Sequence, residues 1–240
     1  MLDNRVDCPG MPGRQALENI DLVIFDCDGV LIDSEPIASR TLAETLQGVG
    51  IAITAAEAHL KFTGNSESTI GEMCRRDYGI VEIPELFETW HQRLFEEFSR
   101  SLLPIPGIAD VVYGLQRPKC VASNSTMQRL RNSLGILGLW SAFGEEVFSA
   151  EAVARPKPAP DLLLHCAERF RARPSRCVMI DDSSHGVAAA VSAGMTAVGF
   201  VDPADPRPGR HATLMTAGAF AVAMGAEQLV AILEDIGGTL

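Results

Sequence analysis

The sequence predicts an α/β fold built on a doubly wound parallel sheet, with a small set of helices inserted into it. Three observations predict this. Four short apolar, β-prone runs each end in polar residues, helix-length segments separate the last three, and a long strandless stretch follows the first. Runs that are apolar at nearly every position suit parallel strands covered on both faces.

In chain order, residues 1–19 hold Pro9, Gly10, Pro12 and Gly13 and read as a flexible N-terminal tail. The run Leu22-Val23-Ile24-Phe25 is the first strand. Helix-like patterns then cover 36–48, 54–62, 66–78 and 84–100, punctuated by Gly48, Gly50, Gly64, Gly79 and Pro84. This stretch closes at the stiff linker Pro104-Ile105-Pro106-Gly107, so 36–103 is a helical insertion into a core made of 20–35 and 104–240. Cys120-Val121-Ala122 is the second strand, Cys177-Val178-Met179-Ile180 the third, and Thr196-Ala197-Val198-Gly199-Phe200 the fourth. Helices are expected over 126–137, 158–170 and 186–193, the last stopped by Gly194. Residues 202–218, with three prolines, read as a loop and a weak helix; 220–223 is a short edge strand and 227–236 a final amphipathic helix. Strands alternating with helices make βαβ units and a Rossmann-like core.

Composition narrows the function. Hydrophobic residues are 47% and charged residues 21% of the chain, the balance of a protein with a packed interior. A net charge of -11 argues against nucleic acid and anionic membranes as partners. An anionic substrate would therefore need local positive groups or a metal. The six cysteines follow no CxxC pattern or disulfide framework, and no apolar run reaches membrane-spanning length. A cytoplasmic protein with reduced thiols is expected, as a monomer or weak homodimer.

In an open parallel sheet, ligands bind beyond the carboxyl ends of the strands. Those ends carry Asp26-Cys27-Asp28-Gly29, Ser123-Asn124-Ser125 and Asp181-Asp182-Ser183, with Arg155-Pro156-Lys157-Pro158 between the last two. Four carboxylates at one edge repel one another unless a cation intervenes, and Mg2+ is the hard, oxygen-seeking ion that suits them. Asp26 can attack phosphorus, and Asp28 can give and take the proton. Lys157 and the Ser123 hydroxyl would hold phosphoryl oxygens, and Gly29 would let backbone amides come close.

The strings DCDGVLIDSE at 26–35, SNS at 123–125, RPKPAPD at 155–161 and IDDSSHGVAAAVSAGM at 180–195 resemble the haloacid dehalogenase-like superfamily. The resemblance covers 21–200. It implies Asp26 as nucleophile, Asp28 as acid/base, and Ser123 and Lys157 as phosphate holders, with Asn124 beside them. It assigns the metal to Asp26, Asp28 (through its backbone carbonyl), Asp181 and Asp182, and it likens the insertion to that family's small helical cap.

Within the superfamily, Asp28 argues against haloacid dehalogenation and phosphonoacetaldehyde hydrolysis. A β-phosphoglucomutase-like enzyme is disfavoured because Ala38 stands where those mutases carry a His, and Glu67 where they carry an Arg. A phospho-accepting receiver module would need no insertion of this size. The expected activity is a Mg2+-dependent phosphatase for a small phosphorylated metabolite: a sugar phosphate, phosphogluconate or phosphoglycolate. Lys61, Thr63, Asn65 and Ser66 of the insertion are candidates to meet its leaving group.

Overall fold

The computed structural model describes residues 20–205 and 207–237, so the 1–19 tail expected from sequence lies outside them. Six strands form one parallel sheet: β1 (Leu22–Phe25), β2 (Lys119–Ser123), β3 (Val147–Ser149), β4 (Cys177–Asp181), β5 (Thr196–Val201) and β6 (Ala221–Met224). Their order is β3-β2-β1-β4-β5-β6. Chain direction across the sheet therefore reverses at β1, and a crevice opens beyond its carboxyl end between β2 and β4.

Strand alternation divides the interior into two layers. Val23, Phe25, Val121, Val178 and Ile180 pack on one face, and Leu22, Ile24, Cys120, Ala122, Cys177 and Met179 on the other. The first layer is covered by α5 (Ile108–Gly114), α6 (Met127–Ile136), α7 (Trp140–Phe143) and α11 (Ala226–Gly237). The second is covered by α8 (Asp161–Arg169), α9 (Ser184–Ser192) and α10 (Arg210–Thr216). The five described cysteines are buried and free, packed as small apolar groups. Among the described residues no helix is long and apolar enough to cross a membrane.

Between β1 and α5 lie four helices and no strand: α1 (Glu35–Gly48), α2 (Ala55–Phe62), α3 (Glu67–Tyr78) and α4 (Ile83–Ser101). Local chemistry sets their ends. Thr54 and Glu57 form a capping box on α2, Ser66 accepts from Thr69 N to cap α3, and Gly79 in the left-handed region stops α3. Leu86, Trp90, Leu94 and Phe98 recur every four residues and bury one stripe of α4. The buried indole of Trp90 donates to Thr41 Oγ1 at 3.1 Å, so that stripe leaves no polar hydrogen unsatisfied there. Where the chain leaves and rejoins the sheet, Asp33 N donates to Leu103 O at 3.0 Å and Ile105 N to Leu31 O at 3.1 Å.

Three elements were not expected. β3 has only three residues, one of them half-buried, which is too short for a periodicity to show. It exists because Val147 and Ser149 pair with Val121 and Ser123 at the sheet edge. The short helices α5 and α7 likewise owe their existence to packing under the sheet.

Candidate active site

Asp26 stands at the end of β1, its amide donating to Ile180 O at 2.9 Å, so the residue is fixed between β1 and β4 at the reversal point. Lys157 reaches the same place from the loop before α8. Its Nζ lies 2.7 Å from Asp181 Oδ2, 3.0 Å from Asp26 Oδ1 and 3.1 Å from Ala122 O. Its side chain is only 2% exposed, and burial alone would favour the neutral amine. The Asp181 and Asp26 charges outweigh that, and the net shift is upward.

Asp181 is held by the start of α9. Ser183 donates to Asp181 Oδ1 from its amide (2.9 Å) and its hydroxyl (2.7 Å), while the same hydroxyl caps the helix by accepting from Gly186 N. A Cβ on Gly186 would stand 1.6 Å from Asp181 Oδ2, so only glycine lets the carboxylate sit there. Gly29 does the same for Asp182: its φ is +77°, and a Cβ would come within 2.6 Å of the Asp182 carboxyl. The Gly29 amide is itself occupied by Ile32 O at 2.9 Å, which assigns the residue to the turn rather than to an anion.

Asp26, Asp181 and Asp182 are all buried and offer oxygens within 4.8 Å of one another. Burial, with Asp181 and Asp28 nearby, raises Asp26 to about 7 against the pull of Lys157. Burial also pushes Asp182 well upward, aided by Glu35, Asp181 and Asp26 and opposed by Arg210. Asp26 Oδ1 has no hydrogen-bond partner; Lys157 is close enough for an ion pair but out of line for a bond. Three hard oxygen ligands, an orphaned carboxylate atom and an excess of negative charge fit a divalent metal ion.

Asp28 is turned away from that group. Ser125 Oγ donates to its Oδ2 at 2.6 Å, Arg129 Nη2 to its Oδ1 at 2.7 Å, and Ser34 Oγ also donates to Oδ1. Burial opposes the charge, but Arg129 and the two hydroxyls outweigh it and hold the carboxyl below its ordinary range. Ser123 Oγ accepts from Ser125 N at 3.1 Å and faces the crevice.

The insertion lies over this edge. Asn124 Nδ2 donates to Gly64 O (3.2 Å) and Lys157 O (3.0 Å), and its Oδ1 accepts from Lys157 N (2.9 Å). The amide is thus spent on positioning Lys157 and holding the insertion's loop. On the other flank Arg207 pairs with Glu35 (2.9 Å) and with His59 Nε2 (3.1 Å), and Arg210 pairs with Asp182 (2.9 Å).

Residues 20–194 match the haloacid dehalogenase-like hydrolase family. The chain belongs to that family. Family relatives include the 6-phosphogluconate phosphatase of Escherichia coli, 29% identical over 83% of this chain and 91% of that one. The fructose-1-phosphate phosphatase of the same organism is 32% identical over 73% of this chain and 94% of its own. A HAD family hydrolase from Deinococcus radiodurans, solved with bound phosphate and sodium, superposes with a TM-score of 0.72 at 31% identity, covering 92% and 97% of the two chains. The haloacid dehalogenase-like chain is accordingly a hydrolase of the phosphoric monoester class, alongside these phosphatases.

Of the residues singled out in the sequence, Asp26, Asp28, Ser123, Asn124, Lys157 and Asp182 line one cavity, and Thr63 and Asn65 reach it from the insertion. Asp181 stands behind them, against Lys157. Ser66 is used as the α3 cap, and Lys61 turns to Asp77 at 2.7 Å, so neither lines the cavity. Sequence reasoning missed Arg129, Arg207 and Arg210. For Arg129 a signal existed: it shares the buried stripe of α6 with Leu130, Ser133 and Leu134.

Proposed function

We propose that the protein is a Mg2+-dependent phosphatase that hydrolyses a small phosphorylated metabolite through an aspartyl-phosphate on Asp26. The observation that carries this reading is the convergence of Asp26, Lys157 and two further buried carboxylates at the sheet's reversal point, beside a cavity walled on one side by the insertion.

The chemistry follows from the positions. One Asp26 oxygen attacks phosphorus, the bond to the leaving oxygen breaks, and Asp28 delivers a proton to that oxygen. Water then attacks the aspartyl-phosphate, Asp28 takes its proton, and Asp26 and inorganic phosphate are regenerated. Asp28 bound to Arg129 is in the anionic form, ready for this second step; the first step requires Asp28 to take up a proton from solvent or from the substrate's phosphate as the Arg129 contact loosens. Lys157 offsets the phosphoryl charge, and the Ser123 hydroxyl donates to a phosphoryl oxygen. Asp26, Asp181 and Asp182, with the Asp28 carbonyl, would hold Mg2+. When bound, the ion supplies positive charge against the repulsion between an anionic nucleophile and an anionic substrate. The insertion acts as a cap that keeps bulk water from the intermediate. The bound phosphate of the Deinococcus radiodurans relative and the names of the two Escherichia coli relatives support the phosphate-ester reading.

Phosphate release from a panel of phosphorylated metabolites, with Mg2+ or EDTA, tests it. Release should require both the metal and Asp26. If Asp26→Asn releases phosphate at the wild-type rate, the aspartyl-phosphate route is wrong.

A further inference from the structure

The phosphatase reading leaves the leaving group open, and the charge balance of the cavity bears on it. A cavity of about 80 Å3, partly open to solvent, lies between the strand ends and the insertion. Two cations line it, Lys157 and Arg129, and both are already paired. Lys157 is spent on Asp26, Asp181 and a backbone carbonyl. Arg129 is bonded to Asp28 and lies 5.7 Å from the Phe98 ring; its remaining Nε is buried and without a partner.

On the insertion's side of the cavity the charged lining residue is Glu35, an acid already paired with Arg207 at 2.9 Å. Lys61 of the same segment faces Asp77 and the Tyr78 ring, away from the space. Leu42, Phe62, Ile70 and Trp90 supply an apolar wall. A carboxylate or second phosphate on the leaving group would lose its water there against hydrocarbon, and among the described residues the cations in or beside the cavity are already paired with acids.

Uncharged hydroxyls have partners. Arg207 donates to His59 Nε2 at 3.1 Å, which leaves the ring proton on Nδ1. That proton faces the hydroxyls of Ser39 (3.1 Å) and Thr63 (3.2 Å), both of which line the cavity. Because they accept from the imidazole, the two hydroxyls keep their own hydrogens for a ligand. Asn65 donates to Phe62 O at 3.2 Å, and its amide oxygen is left to accept. The cavity thus offers two donors, one acceptor and an apolar face.

We propose, resting on the phosphatase reading, that the substrate's leaving group is an uncharged polyol or sugar. Ser39, Thr63 and Asn65 are its hydroxyl contacts, His59 orients the first two, and leaving groups bearing a carboxylate or a second phosphate are rejected.

Glucitol 6-phosphate and 6-phosphogluconate make the test, since they share a six-carbon chain and differ by one terminal CH2OH or carboxylate. kcat/KM should favour the polyol by about tenfold or more. Thr63→Ala and Ser39→Ala should raise KM for glucitol 6-phosphate severalfold and should affect p-nitrophenyl phosphate much less, because that leaving group brings no sugar hydroxyls. Thr63→Lys, which adds a cation, should shrink the preference. Equal or better use of 6-phosphogluconate, still dependent on Asp26, would overturn this inference alone. Absence of turnover with all three esters would overturn it together with the phosphatase reading.

Discussion

The strand ends and the helical insertion solve opposite physical problems. At the strand ends charge is concentrated and buried: the side chains of Lys157 and Arg129 are 2% and 10% exposed, and each is held by carboxylates. In the insertion the arginines stay nearer water, with Arg40, Arg76, Arg93 and Arg100 side chains 44–70% exposed. Its stability comes instead from the apolar stripe of α4 packed on α1. The first region depends on every partner being present, because one missing charge strands another in a poor dielectric. The second depends on volume and shape, which degrade gradually. On the proposed reading, the chemistry belongs to one region and the choice of leaving group to the other.

The sharpest way to break that contrast is Lys157→Met. It removes the cation between Asp181 and Asp26 while keeping side-chain length. Steady-state assays should show kcat reduced by roughly a thousandfold or more. Urea denaturation should show a loss of about 3–5 kcal/mol, the usual cost of leaving a buried charge unpaired. A variant that keeps activity would mean that the buried pairing is structural and not catalytic.

Next in size is Leu94→Ala, a fully buried position on α4. Cavity formation should cost about 2–5 kcal/mol by the same denaturation measurement. Well below the transition, kcat should stay close to wild type. A fall in kcat as large as that of Lys157→Met would show that the two regions are not separable.

The smallest effect is expected at the seam. Burial, followed by the Arg207 charge, holds the His59 imidazole below its ordinary range. The unfolded chain therefore binds a proton near its normal pKa of about 6.5 that the folded chain refuses. Stability should fall as pH drops through that region. Between about pH 7.5 and pH 5.5 the wild-type melting temperature should fall by up to about 2 °C more than that of His59→Gln. Parallel melting curves for the two proteins would contradict the neutral, Arg207-bound imidazole.

The sequence made the strand-end residues legible because they sit directly after apolar runs, where sheet geometry dictates that ligands bind. Asp26, Ser123 and Asp182 come together through that rule although far apart in the chain. The helices of the insertion were legible from periodicity and from glycine stops such as Gly79. What stayed hidden was decided by long-range contact. Arg207 and Arg210 lie in a proline-rich segment whose local pattern says only loop, and besides the nearby Asp205 they pair with the distant Glu35, His59 and Asp182. Ser66 and Asn124 look like free polar groups in sequence, yet backbone donors and acceptors consume them. β3 is specified by its neighbour rather than by its own three residues.

The two chain crossings between sheet and insertion run side by side, tied by the Asp33–Leu103 and Ile105–Leu31 hydrogen bonds. In polymer terms the whole insertion is one closed loop whose ends are already clamped. The entropy of closing such a loop grows only with the logarithm of its length, so doubling it costs about 0.6 kcal/mol more. The sheet therefore tolerates large changes in what hangs from that clamp. A lineage of such chains could exchange whole caps, and with them leaving-group preference, while the four carboxylates and the lysine beneath stay where they are.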